Sequence, residues 1–169
     1  MMSINNLNNY KMSETLTADK GKVITAYNKA KGGRKVFLEN IFGMKTFQPE
    51  IKERIKTLND VLRENGISEK KFSDSCEGLP DDEVAYKMVK EIVKAFNEGW
   101  TPDWTDSTQG KYYPWFEMGS PSGGGFSCSD FDRWHTASYV GSRLCYKSAD
   151  LAKHAGQLFE SIYKDFLTA

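Results

Sequence analysis

The residues best suited to binding chemistry are aromatic and basic. They lie between positions 100 and 147, a stretch that contains all four tryptophans. Within it, residues 111–118 alternate as an extended strand does, so Tyr113 and Trp115 are predicted to project from the same face. Exposed aromatic rings stack nucleobases, and neighbouring cations hold phosphates. The candidate ligand-binding residues are therefore two aromatics and four cations of this stretch: Tyr113, Trp115, Lys111, Arg133, Arg143 and Lys147.

These aromatic residues also permit two other interpretations. Large rings bury a great deal of surface, so Trp100, Trp104 and Trp115 can fill a core where helices meet a sheet. If the second face of the sheet is uncovered, its aromatics instead form an apolar platform for a protein partner or a second copy of the chain. The sequence leaves these alternatives open, because it does not show whether Tyr113 and Trp115 are exposed.

No pattern of residues identifies a reaction. Cys128 and His135 lie close in the sequence, and a Cys/His pair can form an activated nucleophile, but nothing in the sequence brings their side chains together. His154 falls outside the apolar stripe of its helix and is predicted to be exposed. The glycines at 123–125 are not followed by Lys and Ser or Thr, so they do not form a phosphate-binding loop. We therefore predict no catalytic residue and no cofactor, and favour a binding protein over an enzyme.

Helical periodicity precedes and follows the aromatic stretch. Apolar spacing and capping residues predict helices over 17–43, interrupted at Gly32-Gly33, and over 49–66, 68–78, 82–98 and 148–166. Between the last two helices the period drops to two, which predicts strands over 111–118, 126–137 and 138–147. Amphipathic helices must cover something, and the sheet is the available partner. The predicted fold is α+β, with N-terminal helices, a small antiparallel β-meander and a C-terminal helix packed on the sheet.

Basic residues occur in two places that can meet phosphate. In the third predicted strand, Leu144 and Tyr146 share the apolar face, whereas Arg143 and Lys147 project from the opposite face. Near the N-terminus, residues 20–35 carry six Lys or Arg and no acid. That segment can contact phosphate, although a solvated helix face is the simpler interpretation.

Length and composition indicate one globular domain. The 169 residues predict a disordered lead-in over 1–15 and a single domain over 16–169, with a helical part at 16–98 and an aromatic-rich part at 99–169. The formal net charge of +0 argues against a large, uniformly basic nucleic-acid surface. Three widely spaced cysteines, with no signal peptide and no long apolar run, predict free thiols in the cytoplasm. No two cysteines have the CxxC spacing of zinc ligands, and the sequence has only two histidines, so a metal site is not predicted.

Three motifs follow one another in a characteristic order. They are Asn97-Glu-Gly-Trp100 with Pro102 and Trp104, Lys111-Tyr-Tyr-Pro-Trp-Phe116, and Val140-Gly-Ser-Arg-Leu-Cys-Tyr-Lys-Ser148 before a helix over 152–166. This arrangement resembles a family of small proteins encoded by gut anaerobic bacteria and their bacteriophages, most specifically from Ile51 onward. The family has no known activity, so the resemblance transfers no catalytic residue. It implies an intracellular, phage-associated setting, which favours nucleic-acid handling or the binding of a host factor.

The predicted function is binding of single-stranded nucleic acid or a nucleotide-like ligand on the aromatic and basic face of the sheet. The alternative is a protein-interaction module or homodimer that uses the aromatic surface as its interface. No membrane partner is predicted.

Overall fold

The computed structural model describes residues 17–119, 125–135 and 143–168, and the chain forms two compact units. The first unit ends at Gln48 and the second begins at Pro49. The sequence instead predicts one domain with a change of character after residue 98. The predicted lead-in over 1–15 lies outside the described residues.

In its described residues, 17–48, the first unit contains two short helices and one 3-10 turn. Helix α1 spans Lys20–Lys29, helix α2 spans Gly33–Phe42, and the 3-10 turn spans Met44–Phe47. Asp19 caps α1, because its carboxylate accepts the amide hydrogen bond of Lys22 at 2.8 Å. Gly32 has a φ of 54°, which glycine adopts at low cost, and the predicted interruption between the two helices is confirmed.

The second unit begins with three short helices and one long helix. They are α3 at Ile51–Arg54, α4 at Leu58–Glu64, α5 at Glu69–Cys76 and α6 at Asp81–Asn97. The single helix predicted over 49–66 is wrong, because the chain is extended at Ile55 and α4 begins anew after Thr57. The Thr57 hydroxyl accepts the Asp60 amide hydrogen bond, and the Asp60 carboxylate accepts that of Thr57 in return. Ser68 caps α5, as predicted.

Among the described residues the sheet is a two-stranded antiparallel hairpin. Strand β1 spans Lys111–Glu117 and strand β2 spans Ser127–Trp134. A bulge between Trp115 and Phe116 shifts the register by one residue of β2. The third predicted strand is reduced, in its described part, to one bridge between Tyr146 and Tyr112, while residues 138–142 lie outside the described residues. The α+β fold class is confirmed.

Two helices follow the hairpin and pack on it. Helix α7 spans Ala149–Leu158 and helix α8 spans Glu160–Thr168, so the single helix predicted over 148–166 is interrupted at Phe159. Ser148 caps α7, as predicted. At Gly156, an added Cβ would lie 2.6 Å from both Cys128 Sγ and Pro114 Cβ. Helix α7 therefore lies directly against the hairpin, and the predicted packing of the C-terminal helical segment on the sheet is confirmed.

One hydrophobic core connects α3, α4, α6, α7 and α8 with the hairpin. At its centre Phe96 packs edge-on against Tyr146 and Phe159, with ring centroids 6.4 Å apart in both pairs. The prediction that His154 is exposed is wrong, because its ring packs against Phe96 at 5.9 Å and its Nε2 is buried. The hydroxyls of Tyr146 and Tyr163 hydrogen-bond to each other at 2.7 Å, so the two buried phenols satisfy one another.

Within residues 17–119, 125–135 and 143–168, no helix is both long enough and apolar enough to cross a membrane.

Candidate functional site

The two faces of the hairpin have different surroundings. Directly opposite residues of an antiparallel pair point to the same side, and the register pairs Tyr113 with Asp132 and Trp115 with Asp130. These four side chains define the outer face. The inner face carries Pro114, Phe116 and their neighbours, and it packs on the C-terminal helices. The outer face is therefore the part of the hairpin where a binding site can form.

Trp115 is the most accessible aromatic residue of this face. Its exposed fraction is 54%, whereas Trp100 and Trp104 are half-buried. The interpretation that all three tryptophans fill the core does not hold for Trp115. An indole left in solvent on a rigid strand presents a large apolar area at a fixed position, as binding anchors do.

The opposite end of the outer face is covered by the loop at 100–110. The Lys111 side chain is fully buried there, although it is predicted as a ligand-binding cation. Its ammonium donates hydrogen bonds to the carbonyls of Asp106 at 3.1 Å and Gln109 at 3.0 Å. In this structure Lys111 therefore stabilises the loop and is not accessible to a phosphate.

Two turns also stabilise this loop. The Asp103 carboxylate accepts the Thr105 amide hydrogen bond, and the Asp106 carboxylate accepts the Thr108 amide hydrogen bond.

Tyr113 lies between the covered and the exposed end. Its hydroxyl hydrogen-bonds with the thiol of Cys145, and burial, together with that neighbouring thiol, raises the pKa of Tyr113. Burial also raises the pKa of Cys145. Both groups are protonated at neutral pH, so they contribute polar contacts rather than charge or nucleophilic chemistry.

Asn97, to which the sequence assigns no binding role, connects this region to the core. The Asn97 side chain is buried at the end of α6, where its amide nitrogen donates to the Cys145 carbonyl at 2.8 Å. Its amide oxygen accepts the Lys147 amide hydrogen bond at 3.0 Å. The sequence marks Asn97 in two ways, as the start of the motif Asn97-Glu-Gly-Trp100 and as a polar residue at the last position of an apolar helix. The second signal is also typical of an ordinary helix end.

The predicted cations do not gather around Trp115. Arg133 lies opposite Tyr112 in the register, so it belongs to the other side of the hairpin. The Lys147 ammonium forms an ion pair with the Glu98 carboxylate at 2.9 Å. Arg143 is exposed at the start of the last described segment. The structure thus brings Lys111, Tyr113 and Trp115 together on one face, and it leaves Arg133 on the other.

Carboxylates surround Trp115 instead. Asp130 is directly across the ladder, Asp132 is two residues further along β2, and Glu117 is two residues further along β1. Asp130 and Glu117 are exposed and Asp132 is half-buried. The Lys153 ammonium on α7 lies 3.8 Å from the Asp130 carboxylate. The exposed end of the outer face is therefore aromatic and acidic, not aromatic and basic.

The Cys128 thiol, one member of the Cys/His pair that the sequence brings close, lies in surroundings that disfavour its thiolate. Burial raises the pKa of the Cys128 thiol to about 11, and the Glu160 carboxylate adds to this effect. A thiol with that pKa is protonated at neutral pH and is a weak nucleophile. Among the described residues no group of His, Cys, Asp or Glu is arranged to hold a metal ion.

The chain was compared with protein-family models, curated proteins and solved structures. No protein-family model, no curated protein and no solved structure matches the chain.

Proposed function

We propose that the protein is an interaction module that binds a protein partner through the exposed end of the outer hairpin face. The single observation that supports this function is the position of Trp115, which is 54% exposed on strand β1, directly before the bulge, and lies opposite Asp130. Tryptophan is enriched among the residues that dominate the binding energy of protein interfaces. A strand fixes such a side chain before binding, which reduces the entropy lost in the complex.

The acidic surroundings of Trp115 indicate the chemistry of the partner. Asp130, Asp132 and Glu117 place three carboxylates at this end of the hairpin, and the Lys153 ammonium lies 3.8 Å from the first of them. Complementary charge favours a partner that presents an apolar pocket bordered by Lys or Arg. Such a partner can be a second copy of the chain or a different protein.

Nucleic-acid binding at this same face has less support. Phosphate groups are repelled by carboxylates, and the outer face carries Asp130 and Asp132 next to its two aromatics. Lys111 is buried, Lys147 is paired with Glu98, and Arg133 belongs to the opposite face. Binding of a nucleotide-like ligand is disfavoured for the same reason, because its phosphates need cations where the outer face has carboxylates.

Sedimentation equilibrium of the purified chain measures self-association. A homodimer built on this surface dissociates in the Trp115→Ser variant and persists in the Phe37→Ser variant, which removes a similarly exposed ring from the other unit. The Asp130→Lys variant also weakens the dimer if the acidic border selects the partner. Equal association of the Trp115→Ser variant and the unaltered chain contradicts a homodimer at this site.

A different protein partner is identified by photo-crosslinking in cells that contain the full chain. Trp115→p-benzoylphenylalanine is expected to give a discrete protein adduct that disappears when Asp130→Lys is added. Leu167→p-benzoylphenylalanine is the control, because Leu167 is also exposed but lies on α8. If the purified chain is monomeric and the same adducts form from both positions, or none forms from position 115, the proposed interface is wrong.

A further inference from the structure

The net charge of zero conceals two oppositely charged units. Residues 1–48 contain eight Lys or Arg and three Asp or Glu, whereas residues 49–169 contain fifteen and twenty. The first unit therefore carries a net charge of +5 and the second a net charge of −5. A neutral total would argue against a polyanion partner, but the division between units removes that objection for the first unit.

The two carboxylates of the described part of the first unit are already engaged. Asp19 caps α1 through the Lys22 amide. Glu39 accepts the hydrogen bond of the Tyr27 hydroxyl at 2.5 Å, and this hydrogen bond raises the pKa of Tyr27. Lys35 lies over the same Tyr27 ring, with its Nζ 4.6 Å from the ring centroid. Glu39 is thus held on the side of α2 that faces α1, away from the opposite side.

That opposite side of α2 combines an exposed ring with a cation. Arg34, Phe37 and Ile41 are three and four residues apart, so they lie on one face of the helix. Phe37 is 62% exposed and Ile41 is 55% exposed. We call these three residues the α2 face. A guanidinium beside an accessible aromatic ring, with no carboxylate on the same face, is the pairing that stacks bases and neutralises phosphates.

We propose that residues 17–48 bind single-stranded nucleic acid, with Phe37 stacking on a base and Arg34 contacting the adjoining phosphate. The remaining cations are spread along both helices and their connections, which suits the regular charge spacing of a phosphate backbone. They are Lys20, Lys22, Lys29, Lys31, Lys35 and Lys45. This inference concerns a different unit and a different ligand class from the proposed protein interface and does not depend on it.

The test is fluorescence anisotropy of the full chain with a labelled oligothymidylate of about 20 nucleotides over a range of salt concentrations. About four phosphate contacts give a slope of log K against log[NaCl] near −3. Arg34→Gln is expected to reduce that slope by about 0.7. Phe37→Ser is expected to weaken binding roughly tenfold or more, with the slope unchanged because the ring carries no charge.

The controls separate this site from the hairpin and from simple charge attraction. Trp115→Ser leaves oligonucleotide binding unchanged if the site is in the first unit. A duplex of the same length binds at least about tenfold more weakly, because its bases are not free to stack. Circular dichroism confirms that the Phe37→Ser and Arg34→Gln variants remain folded, as expected for exposed positions.

Five outcomes overturn the proposal, and the first four concern the unaltered chain and the Phe37→Ser variant. They are no binding at low salt, undiminished binding by the Phe37→Ser variant, equal affinity for the duplex, and equally effective displacement of the oligonucleotide by poly-glutamate. The last result would show that the unit recognises an acidic polypeptide rather than nucleic acid. Loss of binding in Trp115→Ser would place the site on the hairpin and would also overturn it.

Discussion

The Lys111 ammonium lies 5.4 Å from the centroid of the Trp104 ring and is enclosed by the loop that contains this tryptophan. A buried charge needs hydrogen-bond partners, and the carbonyls of Asp106 and Gln109 supply them. The contact between Lys111 and Trp104 explains why the loop covers one end of the outer hairpin face. It also separates the structural role of Trp104 from the binding role proposed for Trp115.

Replacement of Lys111 by methionine tests that structural role. Lys111→Met keeps most of the volume but leaves the two loop carbonyls without their donor, so we expect a loss of about 1–3 kcal/mol in the free energy of unfolding. Arg133→Met is the matched control, because Arg133 is exposed on the adjoining strand, and its change should stay within about 0.5 kcal/mol. Urea unfolding measures both. Equal effects of the two substitutions would show that the Lys111 hydrogen bonds contribute little.

Removal of the Phe159 ring should be far more costly than removal of the exposed rings. Phe159 is 5% exposed at the junction of α7 and α8, and emptying a buried Phe site costs about 3–5 kcal/mol. Thermal and urea unfolding of Phe159→Ala should show this loss, whereas Phe37→Ala should change stability by about 0.5 kcal/mol or less. Arg143→Ala, at an exposed position, should leave the melting midpoint nearly unchanged. A loss below about 1 kcal/mol for Phe159→Ala would mean that these helices are not docked on the core.

Acidification should destabilise the second unit through His154. Burial lowers the pKa of His154 from 6.5, and the nearby Lys52 and Lys56 lower it further, so folding disfavours the charged ring. The unfolded chain binds a proton more readily, and stability therefore falls as the pH drops below about 6.5. Melting curves between pH 8 and pH 5 should show a smaller decline for His154→Gln than for the unaltered chain. Parallel declines would assign the acid sensitivity to other groups.

The three cysteines should titrate as free thiols. In the structure Cys76, Cys128 and Cys145 are unpaired, as the sequence predicts, and the last two are buried. A thiol reagent should therefore modify three groups in the unfolded, unreduced protein. In the native protein Cys76 should react first, because it is half-buried and the other two are enclosed and protonated. One reactive group in the unfolded protein would reveal a disulfide and contradict this prediction.

Local features of the fold could be predicted from the sequence, because their determinants are neighbours in the chain. Ser68 and Ser148 cap helices within one turn of themselves, and the Gly32 turn needs no distant partner. The interruption at Thr57 was missed, since the apolar spacing of 51–62 continues across it and conceals the reciprocal hydrogen bonds with Asp60. A capping pair inside a periodic segment is a local signal that could have been used.

The candidate site could be predicted only in part. Strand alternation correctly places Tyr113 and Trp115 on one face, but it does not indicate which neighbours cover that face. The burial of Lys111 depends on a preceding loop, and the carboxylates near Trp115 depend on the register with β2. Both features depend on tertiary contacts, which the alternation of residues in a single strand does not predict. The charge contrast between the units likewise emerges only when the boundary after Gln48 is known.

The Asn97 side chain closes a long loop, because its two hydrogen bonds join residues 48 and 50 positions apart in the chain. The whole hairpin lies inside that loop. Closing a loop becomes more costly only slowly with length, by about 0.6 kcal/mol for each doubling. Insertions within the hairpin connection therefore change the stability of the rest of the unit very little, provided that the asparagine contacts are kept. Asn97 thus ties the end of α6 to the segment that follows the hairpin and leaves the length of the hairpin connection free to vary.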